Sequence, residues 1–168
     1  MARGSYMVSV ANATVANALA TLAFMNPKAA ATAATLEFLR FWVSQRANAT
    51  SAQQGIQISS QPTSFPTLVT TGATLTSLGG PNDAASTLTL TTTGAAATVG
   101  VNASGEGAGS KTIIVNDAFN VLNGWLLVPT PPETIVAPAA WTSGIGLVFP
   151  AAPTTLSGWS WGVTWREW

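Results

Sequence analysis

Few side chains of this 168-residue chain could carry covalent or acid–base chemistry. The chain contains no His and no Cys. That removes the commonest metal ligand, the side chain that titrates near neutral pH, and the thiol nucleophile. Ser and Thr are abundant, but a hydroxyl becomes a nucleophile only beside a base. The two lysines, Lys28 and Lys111, do not stand in a Ser-x-x-Lys pattern. Glycoside hydrolysis needs two carboxyl groups flanking the scissile bond. Glu106, Asp117 and Glu133 are the candidates, but Glu106 lies in the glycine loop GEGAGS and Glu133 follows two prolines. Both contexts suit solvated loop acids. No catalytic residue is assigned, and the chain reads as a non-enzyme.

Ion and cofactor sites fare no better. Calcium wants several clustered oxygen ligands, whereas Asn82-Asp83 and Asn116-Asp117 are isolated pairs suited to Asx turns. The run GEGAGS lacks the Lys-Ser/Thr pair and following helix of a phosphate-binding loop. No metal and no cofactor are expected.

Charged residues make up 7% of the chain and sum to zero net charge. A nucleic-acid partner requires clustered cations, and Arg3, Lys28, Arg40, Arg46, Lys111 and Arg166 are scattered. No run approaches the ~20 apolar residues of a membrane span. Ser9, Asn12, Thr14 and Asn17 interrupt any apolar core of a signal peptide. Three Asn-x-Ser/Thr matches, at Asn12, Asn48 and Asn102, are what chance supplies in a chain so rich in Ala, Asn and Thr. With 47% hydrophobic residues and seven Trp the chain can build a core. A neutral surface favours association, so the composition reads as that of a protein held in an assembly.

The tryptophans are the sharpest feature. Trp141, Trp159, Trp161, Trp165 and Trp168 crowd the last 28 residues, with Trp125 just upstream. Such residues form a core and lid, anchor subunit interfaces, or stack on sugar rings. All five are candidate interface residues. Trp141 and Trp168 are expected to be the most exposed, and Trp141 with Asn123 is the candidate sugar platform.

The elements that must position these residues read as short strands. Thr fits a pleated, half-buried surface, and Gly, Pro, Asn and Ser clusters punctuate short apolar runs throughout. Strands are expected at residues 6–10, 19–25, 55–59, 65–70, 86–92, 98–102, 111–115, 124–128, 133–136 and 144–149. Residues 35–44, TLEFLRFWVS, carry bulk on both parities. Periodicity alone leaves strand or helix open there, and aromatic content favours strand. Glu37 and Arg40 inside it suit an ion pair or an exposed edge. A loop or helical turn is expected at 29–34, a loop at 47–54, a turn at 79–83, and one helical turn at 117–123. Residues 158–168 alternate most clearly, with Trp159, Trp161, Val163 and Trp165 on one face of a half-buried strand. The whole chain, 1–168, is one all-β domain: a jelly-roll-like β-sandwich or barrel with at most one or two short helical turns. Residues 1–5 are expected as a flexible N-terminal arm.

The run GWLLVPTPPETIVAPAAWTSGIGLVFPAAPTTLSGWSWGVTWREW resembles the end of a viral jelly-roll module, with proline-ended strand pairs and a final aromatic-rich strand. The opening SVANATVANALATLAFMNP, then ATLEFLRFWVSQ, is similar to the first strands of tailed-phage capsid cement or decoration proteins. The resemblance implies a structural protein on the capsid surface of a virion. Its expected state is a homotrimer that reinforces contacts of the major capsid protein, with no catalytic residues. Two other roles remain open on the residues alone: a glycan- or receptor-binding module of a fibre, and a coat protein that forms the lattice itself.

Overall fold

The computed structural model describes residues 3–15, 21–27, 34–80, 83–93 and 97–168. All regular structure among them is strand. In chain order these are β1 (Gly4–Ala13), β2 (Thr21–Asn26), β3 (Leu36–Gln45), β4 (Gln53–Gln61), β5 (Thr67–Val69), β6 (Ala73–Ser77) and β7 (Thr89–Leu90). They continue with β8 (Thr98–Gly105), β9 (Thr112–Asn120), β10 (Trp125–Leu127), β11 (Val136–Ala137), β12 (Gly144–Val148) and β13 (Trp159–Glu167).

The strands form two sheets packed as a sandwich rather than a closed barrel. Sheet 1 runs β10-β3-β13-β1-β6, with β11 also beside β3. Sheet 2 runs β5-β8-β2-β12-β4-β9, with β7 also beside β8. All named pairs are antiparallel except β7 with β8. Setting aside β5–β8 and β11, the chain pairs its first strand with its last (β1 with β13) and its second with its second-last (β2 with β12). The nesting continues inward with β3 against β10 and β4 against β9. This nested hairpin, folded over into two sheets, is the double Greek key of a jelly roll.

Alternation builds the core between the sheets. Tyr6, Val8 and Val10 from β1, and Trp161, Val163 and Trp165 from β13, meet Ile56 and Ile58 from β4 and Ile145 and Leu147 from β12. β2 is buried along its whole length because β8 and β12 flank it. Its Phe24 points the other way, into a small cluster with Leu68, Ala103 and Phe65. The glycines of β12 make that possible: a β-carbon on Gly144 would stand 2.1 Å from the Phe24 ring.

The expected strand at 35–44 is present as β3, and its bulk on both parities reflects a bulge: Leu39 is left unpaired, so the inward parity switches from Leu36 and Phe38 to Phe41 and Val43. Three expectations are corrected. Residues 117–123 make no helical turn, because β9 runs straight through Asp117 to Asn120 and only 121–123 turn. Phe119 there faces the core and meets Trp159 edge-on at 6.4 Å. The alternating run 86–92 is strand only at Thr89–Leu90, since its first residues are bound instead by the carboxylate of Glu167. The expected arm is shorter than residues 1–5: Gly4 and Ser5 belong to β1, and the Arg3 N–H donates to the Glu167 carbonyl at 2.8 Å. Residues 1–2, and 29–33 of the expected turn before β3, lie outside the described residues.

Candidate functional site

Burial divides the candidate tryptophans. Trp159, Trp161 and Trp165 are all at most 1% exposed. Their side chains fill the space between the sheets, so as interface residues they are corrected to core. The cause is position: β13 is a central strand, with β3 on one side and β1 on the other. Even its polar face is covered, with Ser160 and Thr164 buried. The Trp159 indole N–H donates to the Thr155 carbonyl and that of Trp165 to Glu167, while the Trp161 N–H has no partner. Trp141 is half-buried and packs against the core. Trp168 is half-exposed, donates to Glu37 at 2.9 Å and lies under the Arg166 guanidinium at 4.9 Å.

The candidate acids are separated by their partners. Glu106 accepts from the Thr21 N–H and hydroxyl and pairs with Lys111, clamping the start of β2. Asp117 accepts the Trp125 indole N–H and the Ala118 N–H, and both hold its carboxyl below the usual carboxylate range, Trp125 most strongly. Glu133 lines an apolar cleft. Among the described residues no three acids gather to hold a metal.

Two surfaces emerge that the tryptophan count did not indicate. The first is the open edge of the sandwich. β9 ends sheet 2 and β10 ends sheet 1 on the same side. Between them lies a cleft of about 430 Å³ lined by Ile114, Val115, Leu127, Val128, Glu133 and Ile135. A bulge where Ile58 pairs with Val115 but Ser59 pairs with Ile113 leaves Ile114 unpaired. It lets Ile114 and Val115, neighbours in sequence, both line the cleft. Ile114 and Val128 in its lining are exposed, as are Ile113, Leu122, Leu126 and Val136 along the same stretch from β9 to β11, together six of the eight exposed large hydrophobics of the described residues. Such concentration is unusual on a lone soluble domain.

The other edges are guarded. β5 is three residues long, and Leu68 and Thr67 are tied to Thr92 and Thr93. β6 is five residues, mostly Thr and Ser in character. β9 runs nine residues with no Lys and no Pro, so its edge is guarded only by the bulge at Ile114 and the charge of Asp117.

The second surface is a groove of about 520 Å³ on the outer face of sheet 1, lined in part by Met7, Arg40, Trp42, Ser44, Asn123 and Leu126. Trp42 is paired with Gly162 on one side and Leu126 on the other. A β-carbon on Gly162 would stand 2.6 Å from the Trp42 Nε1. Glycine at 162 therefore lets the indole lie against the sheet. The expected sugar platform is thus redrawn: Asn123 shares a groove with Trp42, and Trp141 does not line it. The signal was in the sequence, as a glycine in the middle of an otherwise bulky strand.

Comparison of the chain with protein-family models, with curated proteins and with solved structures finds no match.

Proposed function

We propose that this chain is a non-enzymatic structural protein of a virion: a cement or decoration protein that sits on the capsid surface as a homotrimer. It would stabilise the shell by burying the β9–β10 edge against neighbouring copies and against the major capsid protein. The observation that carries this reading is the edge itself, a nine-residue edge strand without Lys or Pro beside an apolar cleft, in a stretch of chain that holds six of the eight exposed large hydrophobics of the described residues. Covering it would gain roughly 25 cal/mol per Å² of apolar area, less the cost of association. The jelly-roll strand order supports the reading, because it is the fold expected of such modules.

Amide hydrogen exchange tests it. At micromolar concentration the β9 amides are expected to be protected, and dilution should release them. Exchange of β9 as a free edge at every concentration, and also when the capsid shell is present, would overturn the proposal. Large particles formed by the pure protein would replace it with the lattice-forming coat protein.

A receptor-binding module of a fibre has one observation of its own, the groove around Trp42.

A further inference from the structure

The outer groove combines two features that point to a ligand. The first is an uncompensated cation. Arg3, Lys111 and Arg166 each have an acidic partner, whereas the exposed Arg40 guanidinium makes no ion pair or hydrogen bond among the described residues. The second is a shaped floor, where Gly162 lets the indole of Trp42 settle against the sheet between Leu126 and Arg40.

We infer that this groove binds a carboxylate-bearing saccharide, with the sugar ring packed on Trp42 and its carboxylate held by Arg40. The chemistry selects the class. An indole face carries negative quadrupole potential and attracts the weakly positive C–H face of a pyranose. Asn123 and Ser44 stand at the rim as donors and acceptors for ring hydroxyls. Guanidinium matches carboxylate in a bidentate fork, and no acid lines the groove to compete for it. The volume falls in the range of small-molecule sites. The inference stands independently of the assembly reading.

Calorimetric titration of the full chain with tetragalacturonate and sialyllactose, against a neutral tetragalactoside and lactose, tests it. At least one acidic sugar is expected to bind at millimolar concentration or better, roughly tenfold more tightly than its neutral counterpart. Arg40→Gln, on an exposed side chain, should erase that preference. Trp42→Ala should abolish binding of both, with a native far-ultraviolet spectrum as the control. No binding of either acidic sugar, equal affinity for acidic and neutral sugars, or unchanged affinity in Arg40→Gln would each overturn the inference.

Discussion

The carboxylate of Asp117 accepts the indole N–H of Trp125 at 2.9 Å, and this bond joins the edge strand of one sheet to the edge strand of the other. The same two strands supply Ile114, Val115 and Leu127 to the apolar cleft. The open edge is therefore a held structure, its two strands tied by a charge-assisted hydrogen bond.

That bond makes the edge sensitive to acid. The Asp117 carboxyl is lowered from 3.8, first by the Trp125 N–H and then by the Ala118 N–H. A depressed carboxylate stabilises the fold above its unfolded value and loses that contribution as pH falls through its folded value. As pH falls from about 3.8 toward the lowered folded value wild type and Asp117→Asn should converge in thermal midpoint, while at neutral pH wild type should be the more stable. A gap that widens in acid would contradict this account.

The buried Glu167 gathers a second set of donors. Its carboxylate accepts from Ser86 Oγ at 2.6 Å, Thr87 N at 2.9 Å and Trp165 Nε1 at 3.1 Å, with Arg3 at 3.8 Å. Glu167→Ala should leave those donors unpaired and cost about 3 kcal/mol. Urea unfolding would measure the loss, and limited proteolysis should cut first in the released segment around Ser86.

The three core tryptophans should respond differently to loss of the indole N–H. Trp159 and Trp165 each donate a hydrogen bond, whereas Trp161 does not. All three Phe substitutions shrink the ring, but Trp161→Phe removes no bond. It should cost about 1 kcal/mol less than the other two in chemical denaturation.

Gly162→Ala should force the Trp42 indole off the sheet, since the new methyl would stand 2.6 Å from its Nε1. Overpacking of this kind costs about 1–3 kcal/mol, toward the lower end here because Trp42 is half-exposed and can swing outward. Weaker binding of acidic and neutral sugars alike and a red-shifted tryptophan emission should accompany it.

Much of the strand framework was legible in the sequence. Pro27, Pro129 and Pro150 follow the ends of β2, β10 and β12, and the Trp-x-Trp-x-Val alternation of β13 named its inward face correctly. What it could not give was position within a sheet. β13 looks half-buried by alternation, but it is central and has Met7, Arg40 and Trp42 over its outer face. The order itself rests on pairings such as Gly4 with Glu167, which no local pattern encodes. β6 alternates Thr with Ala or Leu and has no turn chemistry of its own, so nothing local marks it as a strand. Asn116-Asp117 favour turns, so the sequence alone ends β9 before them. At this edge the Asp117 side chain finds Trp125 instead. Ile113-Ile114, two exposed hydrophobics in sequence, were the available sign that β9 presents apolar groups on both faces.

The measurement that tests the central claim most directly is the mass of the protein by light scattering after size-exclusion chromatography, for wild type and Ile113→Lys. Ile113 is 52% exposed, so the lysine should change folding stability by no more than about 0.5 kcal/mol while placing a charge on the β9 edge. The account predicts a wild-type mass three times that of the 17.1 kDa chain, and a monomer for the variant with an unchanged thermal midpoint. A wild-type protein that stays monomeric at micromolar concentration, or a variant that associates as well as wild type, would contradict it.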